Sequence, residues 1–207
     1  MYACAQCTKY ACSVQDGKNP SRHCPMNSET TMKEALDAYN LPENRAFYIH
    51  SSEIEALGYG RWPRIKETIV LCKKMGYRRI GLAFCRGLRR EAKIVDDIFR
   101  RNGFEVISVI CKAGGVEKES MGVDPQRKLH PGEFEPMCNP IAQAMLLNEQ
   151  ETEFNVVVGL CVGHDSMFFK YAKALSTTLI AKDRALAHNP AGALYCSEGY
   201  YKNRIDG

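Results

Sequence analysis

The chain has 207 residues, 45% of them hydrophobic and 25% charged, with a formal net charge of +4. That balance suits one substantial folded domain with a small appendage, and it excludes a disordered chain. No apolar run approaches the ~20 residues of a membrane helix, and Met1-Tyr2-Ala3-Cys4 carries no export signal, so a soluble cytoplasmic protein is expected.

Residues 1–27 are polar, cysteine-rich and without periodicity. They read as a segment that something other than a hydrophobic core must organise. A helix follows, with Ser28 at its N-cap and Met32, Ala35, Leu36 and Tyr39 on one face. A second helix is predicted over Glu43–Leu57, before the Gly58–Gly60 break. A third has Pro63 in its first turn, reaches Lys74 and is stopped by Gly76. From there strand and helix alternate. Arg79–Phe84 is a strand; Arg89–Arg101 is an amphipathic helix burying Ile94, Val95, Ile98 and Phe99; Phe104–Ile110 is a second strand. Pro140–Asn148 is a helix, Phe154–Leu160 a third strand, Asp165–Leu175 a helix and Thr177–Ala181 a fourth strand. Alternation of this kind requires right-handed crossovers and a sheet covered on both faces. The predicted architecture is therefore α/β: a doubly wound, mostly parallel, Rossmann-like sheet of four or more strands. Residues 1–27 form a metal-binding segment, and 28–207 an α/β domain with its preceding helices.

The ten cysteines carry the chemistry. A chain without an export signal does not need them as disulfide staples, and in a reducing compartment they read as metal ligands or redox groups. If eight bound as thiolates around two centres of roughly +2 each, the net charge would fall to about zero. The apparent basicity is thus no argument for nucleic acid. Cys4, Cys7, Cys12 and Cys24 are the candidate metal ligands. The two-residue gap in Cys4-Ala-Gln-Cys7 lets both sulfurs face one ion, and the other two complete four thiolates. Both structural zinc and a [4Fe–4S] cluster take that set, and the spacing leaves zinc and iron–sulfur open.

Four further cysteines fall at equivalent places in the predicted fold. Cys85, Cys111 and Cys161 each follow a predicted strand, and Cys138 precedes the helix leading to the third. Open α/β sheets bind ligands beyond the carboxyl ends of their strands, so these four are candidate cofactor-binding residues. A single cysteine there would read as a small core residue; four together point to a site. Cys72 shares a helix face with Ile65 and Ile69 and is assigned to the core. His164 and Asp165 stand beside Cys161 as candidate catalytic partners with it, although Asp165 suits a helix cap equally well. Asp183 and Arg184 read as a local pair. His50 reads as packed. No Walker loop, GxGxxG, HExxH or GxSxG motif occurs.

Cys4-Ala-Gln-Cys7, Cys24-Pro-Met, Met137-Cys-Asn-Pro-Ile-Ala-Gln-Ala, Gly159-Leu-Cys-Val-Gly-His-Asp, Lys182-Asp-Arg and His188-Asn-Pro together resemble an uncharacterised prokaryotic family of predicted metal-binding, cysteine-rich proteins, domain of unknown function eighteen forty-seven. The resemblance implies metal binding but no established reaction. The expected partner is a small molecule or a metal, with an electron-transfer partner if the centres are iron–sulfur clusters. Three functions fit the residues: redox or sulfur-transfer chemistry on a small molecule, a non-enzymatic metal sensor or carrier, and a zinc-clamped enzyme with a cysteine nucleophile.

Overall fold

The structure is a computed structural model that describes residues 1–14 and 19–206. The chain divides into two compact units, Met1–Tyr59 and Gly60–Gly207. Among the described residues no helix is long and apolar enough to cross a membrane.

In the first unit three short 3-10 turns, Cys4–Gln6, Ala11–Ser13 and Pro25–Asn27, precede helices α1 (Glu29–Tyr39) and α2 (Pro42–Gly58). Ser28 stands at the N-cap of α1, but its hydroxyl bonds to Thr31 Oγ1 (2.9 Å) rather than to a backbone N–H. Pro42 opens α2, where a missing N–H costs nothing. The two helices meet through the tilted rings of Tyr39 and Tyr48, 5.1 Å between centroids. His50 pairs with Glu53 at 3.2 Å.

The second unit opens with α3 (Arg64–Lys74) and continues through β1 (Arg79–Phe84), α4 (Arg89–Arg101), β2 (Glu105–Ile110), α5 (Pro140–Glu149), β3 (Phe154–Val158), α6 (His164–Tyr171) and β4 (Ser176–Ile180). It closes with the short helices α7 (Ala191–Tyr195) and α8 (Lys202–Ile205). All strand pairs are parallel, in the order β2-β1-β3-β4. This is the Rossmann-like α/β sheet that the alternation implies. β3 is buried at every position and β1 at its four inner ones, whereas β2 and β4 are only partly covered. Largely apolar central strands, Val-rich in β3, flanked by mixed edge strands follow directly.

Both faces are covered. Leu82 borders a groove with Ala92 of α4, while a Cβ on Gly81 would press on Leu147 of α5 and on Asn155 Oδ1. The core gathers Ile80, Leu82, Leu88, Phe99, Leu147, Val156, Val157, Val158 and Phe168. Cys72, fully buried, belongs to it; burial pushes its thiol up to about 12.

Three sequence expectations need correction. Ile94 is exposed: the buried stripe of α4 is Ala92, Val95 and Phe99, the spacing that continues from Leu88, and Ile94 lies off it. β3 stops at Val158 instead of Leu160, because Gly159 turns into the left-handed region (φ +65°) directly over Leu88. α6 ends at Tyr171, well before Leu175.

Candidate functional site

The parallel order brings the carboxyl ends of all four strands to one edge of the sheet. From β1 the chain crosses through α4 to β2 on one flank, and later returns through α5 to β3 on the other. The switch point therefore lies between β1 and β3. Cys85 follows β1 directly, Cys111 follows β2 and Cys161 follows the Gly159 turn at the end of β3.

Cys138 reaches the same edge by a different device. The connection between β2 and α5 doubles back on itself: Glu117 and Pro136 form an antiparallel bridge, Met137 N–H donates to Val116 O (2.7 Å), and Asn139 N–H donates to Cys111 O (2.7 Å). Ion pairs Lys118–Glu135 and Lys128–Glu119 hold the connection from inside. The two ends of this long excursion thus meet, and the sulfurs of Cys111 and Cys138 lie 3.9 Å apart.

The thiols are surrounded by donors. Arg86 N–H, at the turn into α4, points at Cys111 Sγ (3.3 Å) and Gly87 N–H at Cys85 Sγ (3.4 Å). Lys182 Nζ stands 3.4 Å from Cys85 Sγ, and Arg184 Nη2 3.0 Å from Cys161 Sγ. The Cys111 thiol, then the Gly87 N–H and Lys182, hold the Cys85 thiol well below the ordinary thiol range. The Cys111 thiol, then Lys112 and His164, lower that of Cys138, while Cys111, placed between the two, is raised. Cys85 and Cys111 are buried, whereas Cys138 and Cys161 are partly exposed.

Gln143, fully buried on α5, braces this edge by donating to Phe84 O (3.3 Å) and Val109 O (2.7 Å), just before the two cysteine positions. The turn carrying Lys182 and Arg184 is also held firmly. Ala187 and His188 both have positive φ, His188 Nδ1 accepts from Asp183 N–H (3.1 Å), and His188 N–H donates to Asp183 O (2.8 Å).

His164 opens α6 with its Nδ1 buried and, among the described residues, without a hydrogen-bond partner. Asp165 Oδ1 accepts from Ser166 N–H (2.8 Å), a local role at the helix start. Arg184 does not form the local pair expected with Asp183. Its guanidinium serves Cys161, and the Asp183 carboxylate caps Ala185 and Leu186 N–H. Sequence reasoning missed Lys112, Lys182 and Arg184 as thiol partners; their position after strand ends was the available signal.

In the first unit Cys4, Cys7, Cys12 and Cys24 all line one cavity of about 480 Å³, together with His23. Tyr10 N–H points at Cys7 Sγ (3.5 Å), and with Lys9 N–H it holds that thiol below its usual range. Such N–H···S contacts suit a sulfur that works as a thiolate. Four sulfurs on a shared cavity fit the donor set of zinc or of a cubane cluster. In neither unit, among the described residues, do three or more His, Cys, Asp or Glu side chains already close on a common point as metal ligands do.

The family model described as protein of unknown function (DUF1847) matches residues 24–179. The chain belongs to that family. Its matched region takes in Cys24 and the strand-end cysteines Cys85, Cys111, Cys138 and Cys161. An uncharacterised protein from Methanocaldococcus jannaschii is 44% identical over 204 residues, covering 99% of this chain and 98% of its own length. The similarity therefore extends over both units.

Proposed function

We propose that this member of the DUF1847 family is a cysteine-ligated metal protein with a second, strand-end thiol site that acts on a small molecule by redox or sulfur-transfer chemistry. The observation that carries the metal reading is the shared cavity of Cys4, Cys7, Cys12 and Cys24. Those four residues hold zinc or an iron–sulfur cluster, and binding draws their sulfurs inward, since metal affinity and local folding are coupled in segments without a core. A bound cluster supplies electron transfer; bound zinc supplies structure. The strand-end residues supply reachable sulfur: Cys138 and Cys161 are partly exposed, and Lys182 and Arg184 stand beside the sulfurs of Cys85 and Cys161.

Purification under strict anaerobiosis, with metal and acid-labile sulfide measured per chain, tests this. Metal present in the wild type and lost in Cys7→Ala supports the reading, whereas full retention in Cys7→Ala overturns the metal assignment. A second reading, favoured by the mutual approach of Cys85, Cys111 and Cys138, makes the strand-end group the seat of another cluster. Iron and sulfide lost separately in Cys85→Ala are its signature.

A further inference from the structure

We infer that the strand-end group is a dithiol exchange site for small anionic disulfides, in which Cys138 attacks first and Cys111 resolves the mixed disulfide. The inference rests on the reading of this edge as a thiol site. It adds the order of events and the substrate class.

Three observations carry it. The first is separation: the Cys111 and Cys138 sulfurs are 3.9 Å apart, so a bond of ~2.05 Å needs only a modest approach of the two side chains. Their backbones are already joined by the Asn139 N–H to Cys111 O bond. The second is asymmetric access. Cys138 is partly exposed and Cys111 is 2% exposed, the arrangement in which an outer thiol meets the substrate and an inner one displaces it. The third is charge. Lys182 Nζ is 3.4 Å from Cys85 Sγ and Arg184 Nη2 is 3.0 Å from Cys161 Sγ, so two cations stand among the sulfurs of this edge. A disulfide carrying carboxylates is attracted there and a cationic one is repelled.

The exchange balances without any further reagent. The Cys138 thiolate attacks one sulfur of the disulfide, forming a mixed disulfide and expelling the other half as a thiolate. Cys111 then attacks the Cys138 sulfur. The Cys111–Cys138 bond forms, the second half leaves as a thiolate, and the Cys111 proton passes to it. The protein loses two electrons, and the disulfide gains them, leaving as one thiolate and one thiol. In reverse, the oxidised pair takes electrons from a dithiol.

The test uses the full-length reduced protein as isolated under anaerobiosis, with oxidised glutathione as the anionic probe and cystamine as the cationic one. Thiols are quenched by alkylation and mapped by peptide mass spectrometry. The expected product is a Cys111–Cys138 bridge formed about tenfold faster from oxidised glutathione than from cystamine. In Cys111→Ser a stable glutathione adduct accumulates on Cys138. The inference is overturned by a bridge between other cysteines, by an adduct that persists on wild-type Cys138, or by cystamine reacting as fast. It is equally overturned if bound iron keeps these thiols from alkylation. The wild-type map suffices even where a variant fails to fold. Metal content, measured on the same samples and on Cys7→Ala, reports the Cys4–Cys24 centre independently, and exchange is expected to continue in that variant.

Discussion

Cys111 and Cys138 stand 27 positions apart in the chain with their sulfurs 3.9 Å apart, because the connection between them is pinned closed at its neck. That proximity holds the Cys138 thiol below its ordinary range and raises that of Cys111.

The first prediction concerns reactivity and pH. An ordinary thiol alkylates roughly tenfold faster per pH unit as pH rises toward its pKa near 8.5. The Cys138 thiol is held below that range by Cys111, Lys112 and His164. Its alkylation by iodoacetamide is therefore expected to stay nearly flat from pH 7 to 9, followed by peptide mapping. A steep rise over that interval would mean that the neighbours do not hold the thiolate.

The second concerns Lys182. Its Nζ is 3.4 Å from Cys85 Sγ and stands 97 residues away in sequence. Lys182→Met removes the cation and raises the Cys85 pKa, so thiolate absorbance near 240 nm at neutral pH is expected to fall. An unchanged ultraviolet titration would remove Lys182 from the site.

The third separates two glycines that look alike in sequence. A Cβ at Gly81 would overlap Asn155 Oδ1 and come within 2.9 Å of Leu147 Cδ1, between a fully buried strand and α5. Gly81→Ala is expected to destabilise the fold by about 3 kcal/mol through overpacking. Gly76 has φ +72° and, among the described residues, nothing within 4 Å of a Cβ, so Gly76→Ala carries only backbone strain, about 1–2 kcal/mol. Thermal midpoints of the two variants measure the difference.

The fourth concerns the connection between β2 and α5. Lys128 holds the Glu119 carboxyl below the usual range, and Lys118, with the His130 and Leu129 N–H groups, does the same for Glu135. Carboxyls depressed in the folded state contribute stability above their ordinary pKa and lose it as pH falls through the lowered one. Hydrogen exchange across residues 117–136 is thus expected to stay slow at neutral pH and through the ordinary carboxylate range. Protection is lost only at more acidic pH. Loss of protection already near pH 5 would contradict it.

Much of the sheet was legible because its signals are local. Val-rich β3, the Gly103 stop after α4 and Pro140 at the start of α5 each act within a few residues, and β1 and α4 fall at the expected bounds. The placement of Cys85, Cys111 and Cys161 at strand ends followed from the same periodicity. What the sequence hid was set by packing at a distance. Arg184 favours Cys161, 23 residues upstream, over its neighbour Asp183. Gln143 spends its amide on the carbonyls of two strands, and no pattern in α5 marks it for that task. Gly159 ends β3 early because the backbone turns over Leu88, a contact without a local sequence signature.

The order β2-β1-β3-β4 also sets a sequence in time. A ribosome makes all four strand-end cysteines before it makes Lys182 and Arg184, which follow the last strand. A chain stopped at Ile180 carries all four of these cysteines but lacks the cations that stand beside Cys85 and Cys161. The cations beside Cys85 and Cys161 thus come from one turn after the last strand, whereas the groups that lower the Cys138 thiol, Cys111, Lys112 and His164, all precede that strand.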